Sequence, residues 1–553
     1  MPLTPSAHAD TFCRDHLPPA DQWPDFEFSL PELAYPDRLN CADRLLADAI
    51  AAHGAGRPCL LPQDPAEPAW SYADLRATAG QIAAVLTEDL GLLPGNRVLL
   101  RGPNNPWLVA CWFGVLLAGG VVVATMPLLR AAELTTISQI AQVRLALCDE
   151  RFLGELESAD APGMRILSFR PGPASSAASP AGGPGDASLN DLARRKPPAF
   201  RAVATAADDV ALIAFTSGTT GRPKAAMHFH RDVLAVADTF SARVLRPVPG
   251  DVFTGTPPLA FTYGLGGILI FPIRAGASTL LIERATPAEL ADIIAERKVT
   301  VVSTAPTAYR AMLAAGKADR LRGLRRPVSA GETLPASVWH AFYDATGVKI
   351  IDGIGSTEML HIFISAADEA IRPGSTGVPV PGYRAAVIGE DGAPVPDGEP
   401  GRLAVKGPTG CRYLADERQR GYVSGGWNFT GDTYIRDSDG YFWYQARSDD
   451  MIVSSGYNIA GPEIEDVLLT HPDVAECGVV GVPDESRGQI VKAFVVLSEG
   501  AAAGPEKAAE LQEYVKARIA PYKYPRAVEF LPALPRTSTG KLQRFKLREM
   551  SAR

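Results

Sequence analysis

Between residues 73 and 88 the larger apolar side chains fall at Leu75, Ala79, Ile82 and Leu86, the three-to-four spacing of a helix with one buried face. A short apolar run at 97–100 reads as a buried strand, and 107–118 reads as a second helix. The same order returns at 287–297 (helix), 299–304 (strand) and 306–315 (helix). Such alternation is what helices packed on a sheet produce, so the expected fold class is α/β. The most apolar stretch, WLVACWFGVLLAGGVVVATM at 107–126, is long enough to cross a bilayer. Pro103 and Pro106 precede it and Gly119-Gly120 interrupts it, so it is read as a buried helix, a glycine turn and a buried strand.

The texture changes after about residue 376. In RAAVIGEDGAPVPDGEPGRLAVKG short strand patterns are punctuated by Asp-Gly at 391–392 and 397–398, which points to a β-rich subdomain. Past Arg447 a compact pattern follows: strand MIVSS, helix PEIEDVLLTHP, strands ECGVVGVP and QIVKAFVVL, then a helix from Pro505 to Ile519. The expected organisation is a large domain over 1–446 (β-rich from about 376 to 446), a linker at 447–450 and a small α+β domain over 451–553. The stretch PGPASSAASPAGGPGDAS at 171–188 is low in complexity and reads as a mobile surface insertion.

Composition narrows the classes. A chain of 553 residues with 46% hydrophobic and 21% charged residues has material for several globular domains. Its formal net charge of −8 argues against a nucleic-acid or anionic-membrane binder, because phosphate contacts need a basic face. Seven cysteines without a CxxC pair suit reduced thiols better than a disulfide framework or zinc site. With no apolar h-region near the start, a cytoplasmic protein is expected.

The candidate chemistry begins at FTSGTTGRPKAAMH, 215–228. Thr216, Ser217, Gly218, Thr219, Thr220 and Gly221 form a loop poor in bulk and rich in hydroxyls, closed by Arg222 and Lys224. Backbone N–H groups, hydroxyls and cations in such a loop suit a polyphosphate. A plain turn is the bland alternative. A Walker-type loop needs Lys directly after the second Gly and Ser or Thr after the Lys, and here Arg222-Pro223 intervenes and Ala225 follows.

The loop matches the phosphate loop of adenylate-forming enzymes, and four further stretches follow in that family's order: DGIGSTE at 352–358, WNFTGD at 427–432, RSDDMIVSSGYNIAGPEIE at 447–465 and PRTSTGKLQR at 535–544. The chain resembles the superfamily of acyl-CoA synthetases, peptide-synthetase adenylation domains and luciferases. The resemblance implies ATP, Mg²⁺ and coenzyme A as substrates and cofactors. It places Glu358 on the metal, a role suited to a hard oxygen ligand, and Thr357 on the α-phosphate. Gly331, Glu332 and Thr333 would shelve the adenine, with Asp352, Gly353 and Ile354 at its edge. Asp432 would grip the ribose hydroxyls, and Tyr444 and Arg447 would complete the nucleotide site. Lys224 and Lys541 would act catalytically, Lys541 by neutralising charge as carboxylate and α-phosphate converge. Asp449 would be the pivot of a domain rotation. Ser454, Ser455 and Gly456 would then line a thiol tunnel.

The resemblance places the acid pocket at Phe261, Thr262, Tyr263, Gly267, Ala330, Gly353, Gly355, Leu360 and His361. Adenylation domains for α-amino acids carry Asp where Thr262 stands here, and without it a buried ammonium would lack a partner. The pocket and FEFSLPELAYPDRLNCADRLL near the start look most like benzoate-type aryl-CoA ligases, with 2-aminobenzoate first and benzoate or hydroxybenzoate behind it. His361 has a bland reading as a satisfied core histidine. Partners are then a small aromatic acid, ATP and CoA, with no nucleic acid or membrane and with room for a homodimer. The alternative function is a stand-alone adenylation enzyme loading a carrier protein.

Overall fold

The computed structural model describes residues 3–171, 187–216, 223–447, 450–454, 457–484, 487–519, 523–537 and 541–551. Most of the low-complexity stretch at 171–188 lies outside them. The helix expected at 73–88 runs over Tyr72–Ala84 and continues with π-helical geometry over Val85–Asp89. It starts where it does because Ser71 accepts from the Asp74 N–H at 3.1 Å while the Asp74 carboxylate takes the Ser71 N–H at 2.8 Å. The apolar stretch at 107–126 divides as expected, into helix Pro106–Leu117 and strand Val121–Thr125. Gly119 turns the chain between them with φ +75°. The 12-residue helix rises about 18 Å, short of a bilayer core of about 30 Å. No helix among the described residues is long and apolar enough to cross a membrane.

Two mainly parallel sheets build the body of the large domain. One has six strands in the order Arg165–Phe169, Leu145–Asp149, Arg97–Arg101, Val121–Thr125, Val210–Thr216 and Lys224–Phe229. All its pairings are parallel except the last, an antiparallel pair. The second has nine strands, with a parallel centre through Ile351–Gly355, Arg326–Ser329, Val301–Thr304, Val252–Gly255, Ser278–Leu280 and Pro58–Leu61. Helices lie between the two sheets and outside each, so alternate strand residues enter different cores. Val98 and Leu100 join the central core, whereas Leu99 joins the outer one. Burial on both faces is why these strands read as continuous apolar runs.

The β-rich region is an antiparallel sheet of Arg384–Ile388, Pro400–Lys406, Trp427–Arg436, Val423–Ser424 and Phe442–Arg447. Two details differ from the sequence reading. Both Asp-Gly turns fall in one long connection between Arg384–Ile388 and Pro400–Lys406. Val378–Pro379 pairs instead with Ile362–Ser365 of the nine-stranded sheet. In the small domain the expected strand MIVSS is Ile452–Ser454, while its hairpin partner Tyr457–Ile459 and strand Ala527–Phe530 escaped that reading. Helices Gly461–Leu469 and Pro505–Lys516 cover one face of its three-stranded sheet, and Arg544–Ser551 covers the other.

Candidate active site

Val210–Thr216 and Lys224–Phe229 are hydrogen-bonded with Thr216 opposite Lys224. This register brings both ends of the expected phosphate loop to the top of the six-stranded sheet. Ser217, Gly218, Thr219, Thr220, Gly221 and Arg222 lie outside the described residues. A third segment is zipped to the outer edge of Lys224–Phe229: Leu414 donates to the Ala225 carbonyl at 2.9 Å and Met227 to that of Arg412 at 2.8 Å. It delivers Tyr413, which the sequence reading did not single out. The Tyr413 hydroxyl donates to Glu358 Oε1 at 2.5 Å, and Lys224 Nζ lies 5.2 Å from its ring centroid. Burial and the neighbouring Glu358 carboxylate push the phenol's pKa up, so it remains a donor. Glu358 itself is buried, and Thr357 before it is half-buried.

The residues expected to shelve the adenine, Gly331, Glu332 and Thr333, follow the end of strand Arg326–Ser329, with Ala330 of the expected acid pocket between. Gly331 has φ +88°, a conformation that favours glycine. Lys541 Cε lies 3.8 Å from the position a Cβ on Gly331 would occupy. The lysine is tied to Thr537, whose N–H donates to the Lys541 carbonyl at 2.8 Å and whose Oγ1 accepts from the Lys541 N–H at 3.0 Å. Lys541 is exposed by area, yet protein surrounds its ammonium closely enough for burial to lower its pKa, while Glu332, Asp432 and Glu358 pull it back up. The small domain is fastened beside it. Arg536 reaches Glu332 at 3.4 Å, and Ser337 donates to Asp466 at 2.6 Å.

Asp432 and Arg447 face each other across two strands, with Arg447 Nη1 donating to Asp432 Oδ1 at 3.1 Å. Burial raises the Asp432 pKa and Arg447 opposes the shift. Tyr444, on the same strand as Arg447, packs edge-on against Tyr434 at 5.5 Å.

Asp352 stands on strand Ile351–Gly355 with Gly353 and Ile354, and burial pushes its carboxyl up to about 8, partly opposed by Ser329 and the Gly353 backbone. In an unfolded chain the group titrates near about 3.9. Between those values the native state holds a proton that the unfolded state has released, so stability falls as pH rises through that window. Asp352→Asn is expected to match the wild type near pH 4 and to show the higher denaturant midpoint near pH 8. Equal midpoints at both pH values would contradict a buried, proton-holding carboxyl.

The expected acid pocket is assembled from distant segments. Phe261 caps the helical turn Thr262–Gly264, and a Cβ on Gly267 would lie 2.6 Å from Ser303 Oγ. A Cβ on Gly355 would meet the His361 backbone at 2.8 Å. Leu360 adopts φ +69°, an uncommon conformation for a side chain without a polar group and the kind of backbone strain found at binding sites. His361 is 3% exposed and boxed by Phe271 at 4.5 Å, Phe240 at 5.5 Å and Tyr263 at 5.8 Å. It is a core histidine but not a satisfied one. Neither ring nitrogen has a hydrogen-bond partner among the described residues, and burial pushes its pKa down to about 3, so the ring is neutral. The Tyr263 proton is committed to the carbonyls of Thr304 and Val328, at 3.2 and 3.1 Å.

Ser454, expected to line the thiol tunnel, is not gathered here. It sits in the small domain's hairpin, 3% exposed, its hydroxyl unpartnered among the described residues. Asp449, Ser455 and Gly456 lie outside the described residues. All seven cysteines are buried and unpaired, as expected.

The family model described as AMP-binding enzyme matches residues 47–413, and that described as AMP-binding enzyme C-terminal domain matches 463–541. A benzoate–CoA ligase of Thauera aromatica is 36% identical, over 94% of this chain and 97% of its own length. The crystal structure of the anthranilate CoA ligase AuaEII, in complex with anthranoyl-AMP, superposes with a TM-score of 0.86 at 33% identity, covering 94% of this chain and 99% of that one. A benzoate CoA ligase from Burkholderia xenovorans LB400 gives 0.82 at 33% identity, covering 92% and 100%.

Proposed function

The chain belongs to the family of AMP-binding enzymes, and from that premise we propose that it is an ATP-dependent aryl-CoA ligase. The acid's carboxylate oxygen attacks the α-phosphorus of ATP, the bond to the β-phosphate breaks, and pyrophosphate leaves. The thiol of CoA then attacks the carbonyl of the acyl-adenylate, and AMP leaves. The observation that carries this reading is the placement of Lys541 against Gly331, within the field of Glu332, Asp432 and Glu358. A mobile cation there offsets the repulsion between a carboxylate and a triphosphate, and is worth most where negative charge builds up in the transition state.

Within this reading Asp432 receives the ribose hydroxyls and Gly331–Thr333 shelve the base. Thr357 and Lys224 hold phosphate oxygens together with the hydroxyl-rich loop. The donor set fits Mg²⁺: a buried hard carboxylate, Glu358, held by one phenol beside a loop suited to phosphates. Mg²⁺ bound there would neutralise phosphate charge. The second step needs a different face of the small domain. We place the break between the domains at 447–450, with Asp449 as pivot, and Ser454, Ser455 and Gly456 facing the thiol after rotation.

The proposed acid is 2-aminobenzoate, ahead of benzoate and hydroxybenzoate. Tyr263 and His361, whose rings lie 5.8 Å apart, suit a flat ring as neighbour, and Thr262 offers no counter-charge to an α-ammonium. The arylamine of 2-aminobenzoate is neutral at pH 7, so His361 can accept its hydrogen without a buried ion pair. The anthranoyl-AMP held by the structural relative AuaEII points the same way.

A panel of aryl and fatty acids in a pyrophosphate-release assay, run with and without CoA, tests the proposal. Expected are pyrophosphate and acyl-AMP with the three aryl acids alone, and AMP and thioester once CoA is added. Faster turnover of a fatty acid, or release of ADP, would sink it. A phosphopantetheinyl carrier protein preferred over CoA would favour the carrier-loading alternative.

A further inference from the structure

Glu358 is aimed by something outside its own motif. It sits in a short connection between Ile351–Gly355 and Ile362–Ser365, with its backbone tied by Leu360 N–H to the Thr357 carbonyl at 3.1 Å. A carboxylate on such a turn has rotamers to choose from, and the Tyr413 hydroxyl selects one by donating to Oε1 at 2.5 Å. Tyr413 is itself immobile. It is fully buried, its ring packs edge-on against Tyr422 at 5.8 Å, and its segment is hydrogen-bonded on either side to strand Lys224–Phe229. The residue before it, Arg412, pins the segment from below by an ion pair with Asp232, both wholly buried. The same phenol ring lies under the Lys224 ammonium. One side chain therefore touches both the acidic and the basic group at the end of the phosphate-loop strands.

We infer that Tyr413 is a positioning residue, which holds the Glu358 carboxylate turned toward a divalent cation on the phosphates of ATP while its ring face steadies Lys224. The inference rests on reading Glu358 as the metal carboxylate. Its logic is that of any partner behind a ligand: orientation fixed in advance is not lost when the cation binds. The hydroxyl occupies one oxygen of Glu358 and leaves the other for a cation.

The test is ATP binding by calorimetry to the full-length protein at graded Mg²⁺ without acid or CoA, with thermal unfolding of the ligand-free protein in parallel. Tyr413→Phe keeps the ring, and so the Lys224 contact, and removes only the hydroxyl. It is expected to raise the Mg²⁺ concentration for half-maximal ATP binding by about tenfold, and Glu358→Gln by at least as much. A merely structural tyrosine would move the unfolding temperature and leave the Mg²⁺ midpoint in place. If Glu358→Gln shifts that midpoint and Tyr413→Phe does not, the inference is overturned while the reading of Glu358 stands. If Glu358→Gln leaves the midpoint unmoved, the reading of Glu358 falls, and the inference with it.

Discussion

Lys541→Ala is expected to slow acyl-adenylate formation by about 100- to 1000-fold, the usual loss when one preorganised cation or donor is taken from developing negative charge. Thr537 and Lys541 are tied by a backbone hydrogen bond, and the lysine side chain lies beside Gly331, from where the proposed mechanism has it reach the converging carboxylate and α-phosphate. Burial lowers its pKa, and three carboxylates nearby counter that shift. Truncation should spare the fold, because the residue is exposed and its hydrogen bonds to described residues use only its backbone atoms. Thioester formation from supplied acyl-adenylate should be nearly unchanged if, as proposed, the small domain presents another face in that step. Rapid-quench measurement of each half-reaction checks both statements. Equal loss in the two would contradict a lysine that serves the first step alone.

Arg412→Met is expected to cost about 3–5 kcal/mol of stability, because it strands a buried carboxylate. Arg412 and Asp232 are both wholly buried and paired with each other, and the guanidinium also stacks over Phe229 at 3.9 Å. Neighbouring His228 stands 3.9 Å from Asp232 and in the native protein is held neutral by burial and by the Arg412 charge, which push its pKa down to about 3. Chains of this kind have about 5–15 kcal/mol in hand, so the single variant should unfold at a much lower urea concentration. Replacing both partners together, Arg412→Met with Asp232→Leu, should recover most of the loss, since an apolar pair leaves no uncompensated ion. A single variant whose urea midpoint matches the wild type would show that the pair carries little.

The motifs were legible because each is a contiguous stretch whose chemistry dictates its residue types. A polyphosphate loop has to be small and hydroxylated, and a metal-binding acid has to be Asp or Glu. Tyr413 was not legible. Its partner lies 55 positions away and Arg412's lies 180 away, and neither pair leaves a periodic trace. His361 shows the same limit: its neighbour Glu358 marked it as a candidate, but Phe240 and Phe271 come from a separate segment, and only their packing shows that both ring nitrogens lack partners. The Asp-Gly pairs at 391 and 397 were read as turn signals, which they are, but strand register joined them into one connection.

By itself the sequence determined the α/β class, the order of elements from 97 to 125, the family and the identity of the charged groups available to a nucleotide. These follow from short-range rules: helix and strand periods, the backbone freedom of glycine, and the charge a phosphate demands. Tertiary structure alone decided which of those groups meet. The approach of Lys541 to Gly331, the hold of Tyr413 on Glu358 and the closure of the aromatic walls around His361 all join residues brought together only by sheet order and domain packing. Those are set by the burial of whole faces, a property of the assembled core that no local stretch encodes.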